Sequence, residues 1–351
     1  HTNFMQQQAN DSELGQARIE LFNTFCLPTM IAQTSSNFIW IIWTDPGIDT
    51  PLRKKMEEML APYSNFILIA SNDHSEEYHS ISLMTNIPNA SQVWSGDQAL
   101  VQRVHDVYKT QVVLETMLNA DDGLHFTYIE KIQQEATRYL VENVDDGTVT
   151  DHIATTAENM RWRVWCVDNR LEWHPRSPFP PPSMSHRGEQ SKQKEESNDS
   201  PHGYLAIMHA DGCVLSGMTF GYGVGSSRAS IPLTPYRNDN HDVPTCGKQK
   251  VNCLRRMEKL APAVIHPYTS ASSLVGDIIN SSSETTKSRM DLPKKKYEKA
   301  AKKQRSKEEQ DMMWKGLEAV MHLTKDDIIH TKKYFEEYDM HLVKQKYQIQ
   351  Y

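Results

Sequence analysis

With 351 residues, 38% hydrophobic and 24% charged, the chain is long enough for one large domain or two smaller ones with a proper core. A formal charge of -7 argues against a dedicated nucleic-acid binder, and no apolar run approaches the roughly 18 residues needed to span a bilayer. The five cysteines (Cys26, Cys166, Cys213, Cys246 and Cys253) include no CxxC pair, which argues against a structural zinc site.

The sequence opens on His1 without an initiating methionine, the expectation for a processed or truncated chain, and an upstream signal or membrane anchor stays open. Sequons at Asn10, Asn89, Asn198 and Asn280 tilt the reading towards a secretory compartment such as the Golgi lumen over the cytoplasm.

From Glu13 to Met30, Leu14, Ala17, Leu21, Phe22 and Phe25 recur at helical spacing, and Pro28 marks where that helix weakens or stops. Asn37 to Thr44 (NFIWIIWT) reads as a strand ending in the turn Asp45-Pro46-Gly47. A charged helix from Pro51 to Leu60 follows, then a second buried strand, NFILIA from Asn65 to Ala70, running into Ser71-Asn72-Asp73. Gly96 to Tyr108 reads as a further helix. The alternation has the spacing of βαβ units and predicts a mostly parallel sheet.

The central stretch is VVLETMLNADDGL, Val112 to Leu124. Val112, Val113 and Leu114 read as a buried strand, interrupted by Glu115 and Thr116. Beyond Gly123 one apolar helical face runs through Leu124, Ile129, Ile132, Ala136 and Leu140. Asp121 and Asp122 therefore fall at a strand's carboxyl end, where open α/β sheets bind ligands. Two adjacent carboxylates there suit Mg²⁺ or Mn²⁺ and the phosphates such an ion bridges, or they simply cap the next helix. Asp45 and Asp73 end the two preceding strands. Each alone reads as a turn residue, and the three together make a polar crevice.

Ala17 to Gly47, Ala61 to Asp73, Thr116 to Gln133 and CVLSGMTFGYGVG, Cys213 to Gly225, resemble the rhamnosyltransferase family. The resemblance covers about Phe4 to Ile265. It implies a GT-A-like nucleotide-sugar-binding domain with a mostly parallel central sheet. On that footing Asp121 and Asp122 hold a divalent metal, Asp45, Asp73 and Asn119 serve the nucleotide donor, and Arg18 pairs with phosphate or is only a solvated helix charge. The family usually has Arg at the position of Met117 and Asp at that of Asn119, so the chain departs from it at both places.

The second half reads as more β-rich. Arg161 to Asp168 and Tyr204 to His209 are strand-like, and Pro175 to His202, with six prolines, reads as a disordered insertion. Four glycines around Phe220 and Tyr222 nominate those two rings for the acceptor, against the alternative of a glycine-rich turn with core aromatics. Chain order in the resembled family nominates Asp242, then Asp239, as general base and His241 as a metal ligand, in a polar loop. Lys287 to Lys307 carries ten basic residues against two acids, either a solvated face or a site for anionic lipid headgroups or an acidic polysaccharide. Ser306 with Glu309 and Thr324 with Asp327 are capping boxes for two closing helices, the second carrying Ile328, Ile329, Tyr334, Phe335, Tyr338 and Leu342, expected to pack back on the domain.

The expectation is an α/β domain over 1–275 with a basic linker and C-terminal helices over 276–351. Its function would be metal-assisted transfer of a sugar, rhamnose by resemblance, from a nucleotide-sugar donor to a glycan or small-molecule acceptor. A family member without catalysis that serves as a glycan- or anion-binding scaffold is the alternative. Membrane association would run through an upstream segment or the basic stretch.

Overall fold

The computed structural model describes residues 1–6, 8–71, 92–107, 110–141, 162–165, 169–175, 200–209, 217–224, 253–254, 264–267 and 307–347. Strands β1 (Thr2–Phe4), β2 (Trp40–Thr44) and β3 (Phe66–Ala70) are parallel, and β4 (Val93–Ser95) closes that side antiparallel to β3. β2 and β3 are buried at every position, as strands covered on both faces must be. Trp40, Ile42, Phe66 and Leu68 join the main core, whereas Ile41, Trp43, Ile67 and Ile69 form a second cluster with Val101 on the opposite face.

On the other side of β1 lies β5 (Val113–Met117). The His1 main-chain nitrogen donates to Thr116 O (2.7 Å), and Leu118 N donates to His1 O (2.9 Å), a parallel pairing of His1 with Met117. β10 (Met218–Tyr222), β7 (Trp162–Trp165) and β11 (Cys253–Leu254) extend the sheet beyond β5, giving the order β4-β3-β2-β1-β5-β10-β7-β11. The chain thus moves outward from β1 through β2 and β3, then returns to the far side of β1. That reversal is a topological switch point. A separate sheet has the order β6-β12-β8-β9, from Gly123–Leu124, Val264–Pro267, Asn169–His174 and Tyr204–His209.

Several expectations need correction. The first helix is unbroken from Ser12 to Ile31, as read, but it does not stop near Pro28: α1 (Ser12–Leu21) opens into a π turn, Phe22–Cys26, and resumes as α2 (Leu27–Ile31). Leu27 N bonds Phe22 O, so Pro28, which has no N–H to give, enters in the first turn of α2 instead of ending the run. Glu115 and Thr116 do not interrupt a strand but lie inside β5, with Glu115 buried. Leu124 belongs to β6, and the apolar helical face begins only at α5 (Tyr128–Ala136), which continues into a second π turn, Thr137–Val141. Strand β7 covers Trp162–Trp165 of the stretch read as Arg161 to Asp168, whose other residues lie outside the described ones. Helices α3 (Thr50–Leu60, capped by Asp49) and α4 (Gln98–Val107) stand where expected.

The closing helices α6 (Lys307–Met321) and α7 (Lys325–Tyr347) bury Trp314, Leu317, Met321, Ile328, Phe335 and Tyr338 in the same core as the first helix and central sheet. Thr324 caps α7 as expected, accepting from Asp327 N while its hydroxyl donates to the Asp327 carboxylate. Ser306 and Lys287 to Ser306 lie outside the described residues, as does the side chain of Leu342. Thr24 of the π turn meets Thr331 of α7 hydroxyl to hydroxyl at 2.7 Å. Along the outer strand β9 the Gln310 side chain behaves like a strand neighbour: its Oε1 accepts from Leu205 N and its Nε2 donates to Leu205 O, both at 3.1 Å. Among the described residues no helix is long and apolar enough to cross a membrane.

Candidate functional site

At the switch point the carboxyl ends of β1 and β5 lie side by side. β1 ends on Phe4 and buried Met5, whose φ of 55° is in the left-handed region that a side chain ordinarily avoids. Gln6 follows. Both polar atoms of its side chain are buried and have no hydrogen-bond partner. Such an amide costs about 1–3 kcal/mol until something pairs with it. At the neighbouring strand end the Thr44 hydroxyl is likewise buried without a partner.

After β5 the chain runs into the turn Asn119-Ala120-Asp121-Asp122. Asp122 is 1% exposed and accepts from Asn119 Nδ2 at 2.8 Å, while its backbone N–H bonds Asn119 O. Asn119 thus braces Asp122. Asp121 is half-buried, and its charge acts on Arg18 of α1. Burial pushes the Arg18 guanidinium below its ordinary pKa, while Asp121, Tyr338 of α7 and Asp11 push it back up. Among the described residues Arg18 makes no side-chain hydrogen bond or close ion pair. Asp11 caps α1, accepting from Leu14 N at 2.9 Å, so its own carboxylate already occupies that helix terminus. The free positive charge on α1 is therefore the Arg18 guanidinium and not the helix terminus.

Cys26 of the π turn is fully buried, its Sγ 3.6 Å from Asn119 O; burial first, then Asp122 and Asp121, keep it a thiol well above its usual pKa. It is inert packing under the turn. His125, after β6, accepts through Nδ1 from Thr127 N (3.2 Å) and stacks on Phe126. Burial, Lys131 and His322 lower its pKa. Tyr128 opens α5 fully buried, its hydroxyl donating to Gly217 O and lying 3.1 Å from Thr219 Oγ1.

The structure brings Asn119, Asp121 and Asp122 together on one turn, and the charge of Asp121 acts on Arg18. Asp45 stands at the β2 end as a turn residue, its carboxylate accepting from Gly47 N at 2.8 Å. Phe220 is 5% exposed within β10, and Gly221 beside it makes room for a core ring, because a Cβ there would sit 2.5 Å from Trp165. Tyr222 shares the strand, though its side chain is outside the described residues. Asp73, Asp239, His241 and Asp242 also lie outside them. Sequence reasoning missed Gln6, because a three-residue strand ahead of it carries too little periodicity to be seen. Asp121 and Asp122 supply two of the oxygen donors a hard cation wants, the number that Mg²⁺ commonly takes from protein alongside substrate phosphate and water. Among the described residues no group of three or more His, Cys, Asp or Glu side chains converges.

Residues 9–152 match the model of the family described as "Putative rhamnosyl transferase". The matched segment covers less than half of the chain; it runs from just before α1 past the second π turn and holds Arg18, Asn119, Asp121 and Asp122. Gln6 and the two closing helices lie outside it. No curated protein and no solved structure matches the chain.

Proposed function

We propose that the protein is a glycosyltransferase that seats the diphosphate of a nucleotide-sugar donor in the switch-point crevice and transfers the sugar, rhamnose by family name, to a glycan or small-molecule acceptor. The observation that carries this reading is Arg18 of α1, a half-buried guanidinium without a close anion among the described residues, on which the charge of Asp121 acts. A desolvated cation in that position gains from a phosphate what it lacks in the protein. The unpaired Gln6 amide offers a donor and an acceptor to the same ligand. Asp121 and Asp122 would hold a divalent ion, Mg²⁺ or Mn²⁺, which when bound offsets charge on the departing diphosphate. Asp121 is the more accessible of the two, so it would meet the ion first, with Asn119 and Asp122 fixing the turn behind it.

The test is a panel of nucleotide sugars and nucleoside diphosphates screened by melting temperature with and without Mn²⁺, followed by transfer assays on the ligands that stabilise. The reading expects at least one nucleotide sugar to raise the melting temperature and to be turned over. Stabilisation without turnover of any stabilising donor favours the binding-scaffold alternative, and no stabilisation by any member removes the donor site.

A further inference from the structure

The second sheet holds an ionisable pair with no part in the donor site. On β8, Leu171 and Trp173 belong to the main core, so the alternating positions Glu172 and His174 lie on the opposite face. Both are buried there, Glu172 fully and His174 to 4% exposure, with Glu172 Oε2 3.6 Å from His174 Nε2. Two ionisable side chains taken out of water together are costly to keep, and apolar residues of similar volume serve a merely structural strand as well. Buried titratable groups with a specific partner concentrate at sites of proton transfer.

Register places the pair beside the acid turn. β12 runs antiparallel to β6 with Ile265 opposite Gly123, and parallel to β8 with Ile265 opposite Leu171. Gly123, Ile265 and Leu171 therefore stand abreast, two strand spacings or about 10 Å from end to end. One step towards the same sheet edge brings Asp122 on the β6 side and Glu172 on the β8 side, and His174 ends its strand at that edge. An interval of that width between the turn carboxylates and the imidazole leaves room for one sugar ring and an acceptor hydroxyl.

We propose that His174 is the general base of the transfer and Glu172 its positioning residue, an assignment that rests on the glycosyltransferase reading. Because Nε2 faces the Glu172 carboxylate, the neutral ring carries its proton on Nε2 and presents Nδ1 as the acceptor. The hydroxyl proton of the sugar acceptor passes to Nδ1 as the acceptor oxygen bonds the anomeric carbon. The bond from that carbon to the diphosphate oxygen breaks, and its electron pair leaves with the diphosphate. Glu172 holds the ring in this tautomer and stabilises the imidazolium that results, as a buried carboxylate does beside a catalytic histidine. Asp239 and Asp242, which chain order in the resembled family nominates for the same task, lie outside the described residues.

The experiment measures turnover of the nucleotide-sugar panel, with UDP- and dTDP-linked rhamnose among its members, by the native full chain and by His174→Ala, Glu172→Gln and Asp242→Asn. The melting-temperature rise given by UDP or dTDP with Mn²⁺ reads donor binding separately. His174→Ala is expected to lose about 10²–10⁴-fold in kcat, to regain part of it with added imidazole, and to keep the rise given by the nucleoside diphosphate. Glu172→Gln, nearly isosteric, should lower kcat at unchanged KM for the donor, and it keeps the test open should His174→Ala fail to fold. Turnover that survives in Glu172→Gln and His174→Ala overturns the assignment. So does a loss in His174→Ala that imidazole leaves unrestored while Asp242→Asn abolishes turnover, which returns the role to the polar loop. A native chain that turns over no member of the panel fells the donor reading and this assignment with it, so the native chain alone tells the two failures apart.

Discussion

Replacing Arg18 with methionine keeps the length and apolar stem of the side chain while removing a charge that burial already disfavours. Arg18→Met is expected to leave the melting temperature unchanged or slightly raised and to abolish the stabilisation given by a nucleoside diphosphate, a pairing that melting curves with and without ligand check directly. Asn119 carries the opposite expectation. Its Nδ2 donates to a carboxylate that is 1% exposed, so Asn119→Asp exchanges a hydrogen bond for like-charge contact. The cost should be about 1–3 kcal/mol by denaturant titration, which would make the family's usual Asp unfavourable here. His125 supplies a pH dependence. Its folded pKa lies below the ordinary 6.5, so the unfolded chain binds more protons, and the stability present above that value is lost as pH falls through the folded pKa. His125→Gln should flatten the dependence of melting temperature on pH from neutral into the mildly acid range. At this scale the acid pair and Arg18 were legible in the sequence, because residue type alone marks them. That the Asp121 charge acts on Arg18 was not, since the two come from opposite ends of the matched segment.

The elements divide in the same way. β2, β3 and α3 declare themselves through unbroken apolar runs, a proline in the first turn and an aspartate cap, all local signals. β1 does not, because three residues cannot show a period, although it is the strand about which the sheet reverses. The junction of α1 and α2 was half legible: Pro28 announces a disturbance, but whether the helix ends or widens into a π turn is decided by packing. Phe22 stacks on Trp40 with ring centroids 5.5 Å apart, and Phe25 lies 4.9 Å from Trp173, so the widened turn keeps both rings in the core. Tyr128 shows how α5 is tied to the sheet, since its hydroxyl donates to Gly217 O where the chain takes a positive φ before β10. Tyr128→Phe removes that bond and leaves a buried carbonyl short of a donor. A loss of about 1–3 kcal/mol in denaturant titration is expected, with Tyr128→Leu losing more because the ring also goes.

Across the whole molecule one core joins the first helix, the central sheet and the last two helices, through Phe22, Trp40, Trp314 and Phe335 among others. Capping boxes and apolar spacing made the two closing helices legible, but the surface they cover was not, because it is assembled from segments some 300 residues earlier. Phe335→Ala is expected to cost about 3–5 kcal/mol and to lower a single cooperative transition, so one melting step with a reduced midpoint is the outcome to look for. The Gln310 amide laid along β9 has a consequence for the order of events at the ribosome. A nascent chain completes β9 at His209 and must then make about a hundred further residues before Gln310 emerges to satisfy Leu205. Throughout that interval the outer strand offers bare peptide groups to any neighbour, the condition under which strands from different chains join. Chains released before Gln310 should therefore be prone to aggregation on polysomes and dependent on holdase chaperones, whereas the completed protein hides the strand with its own last helices.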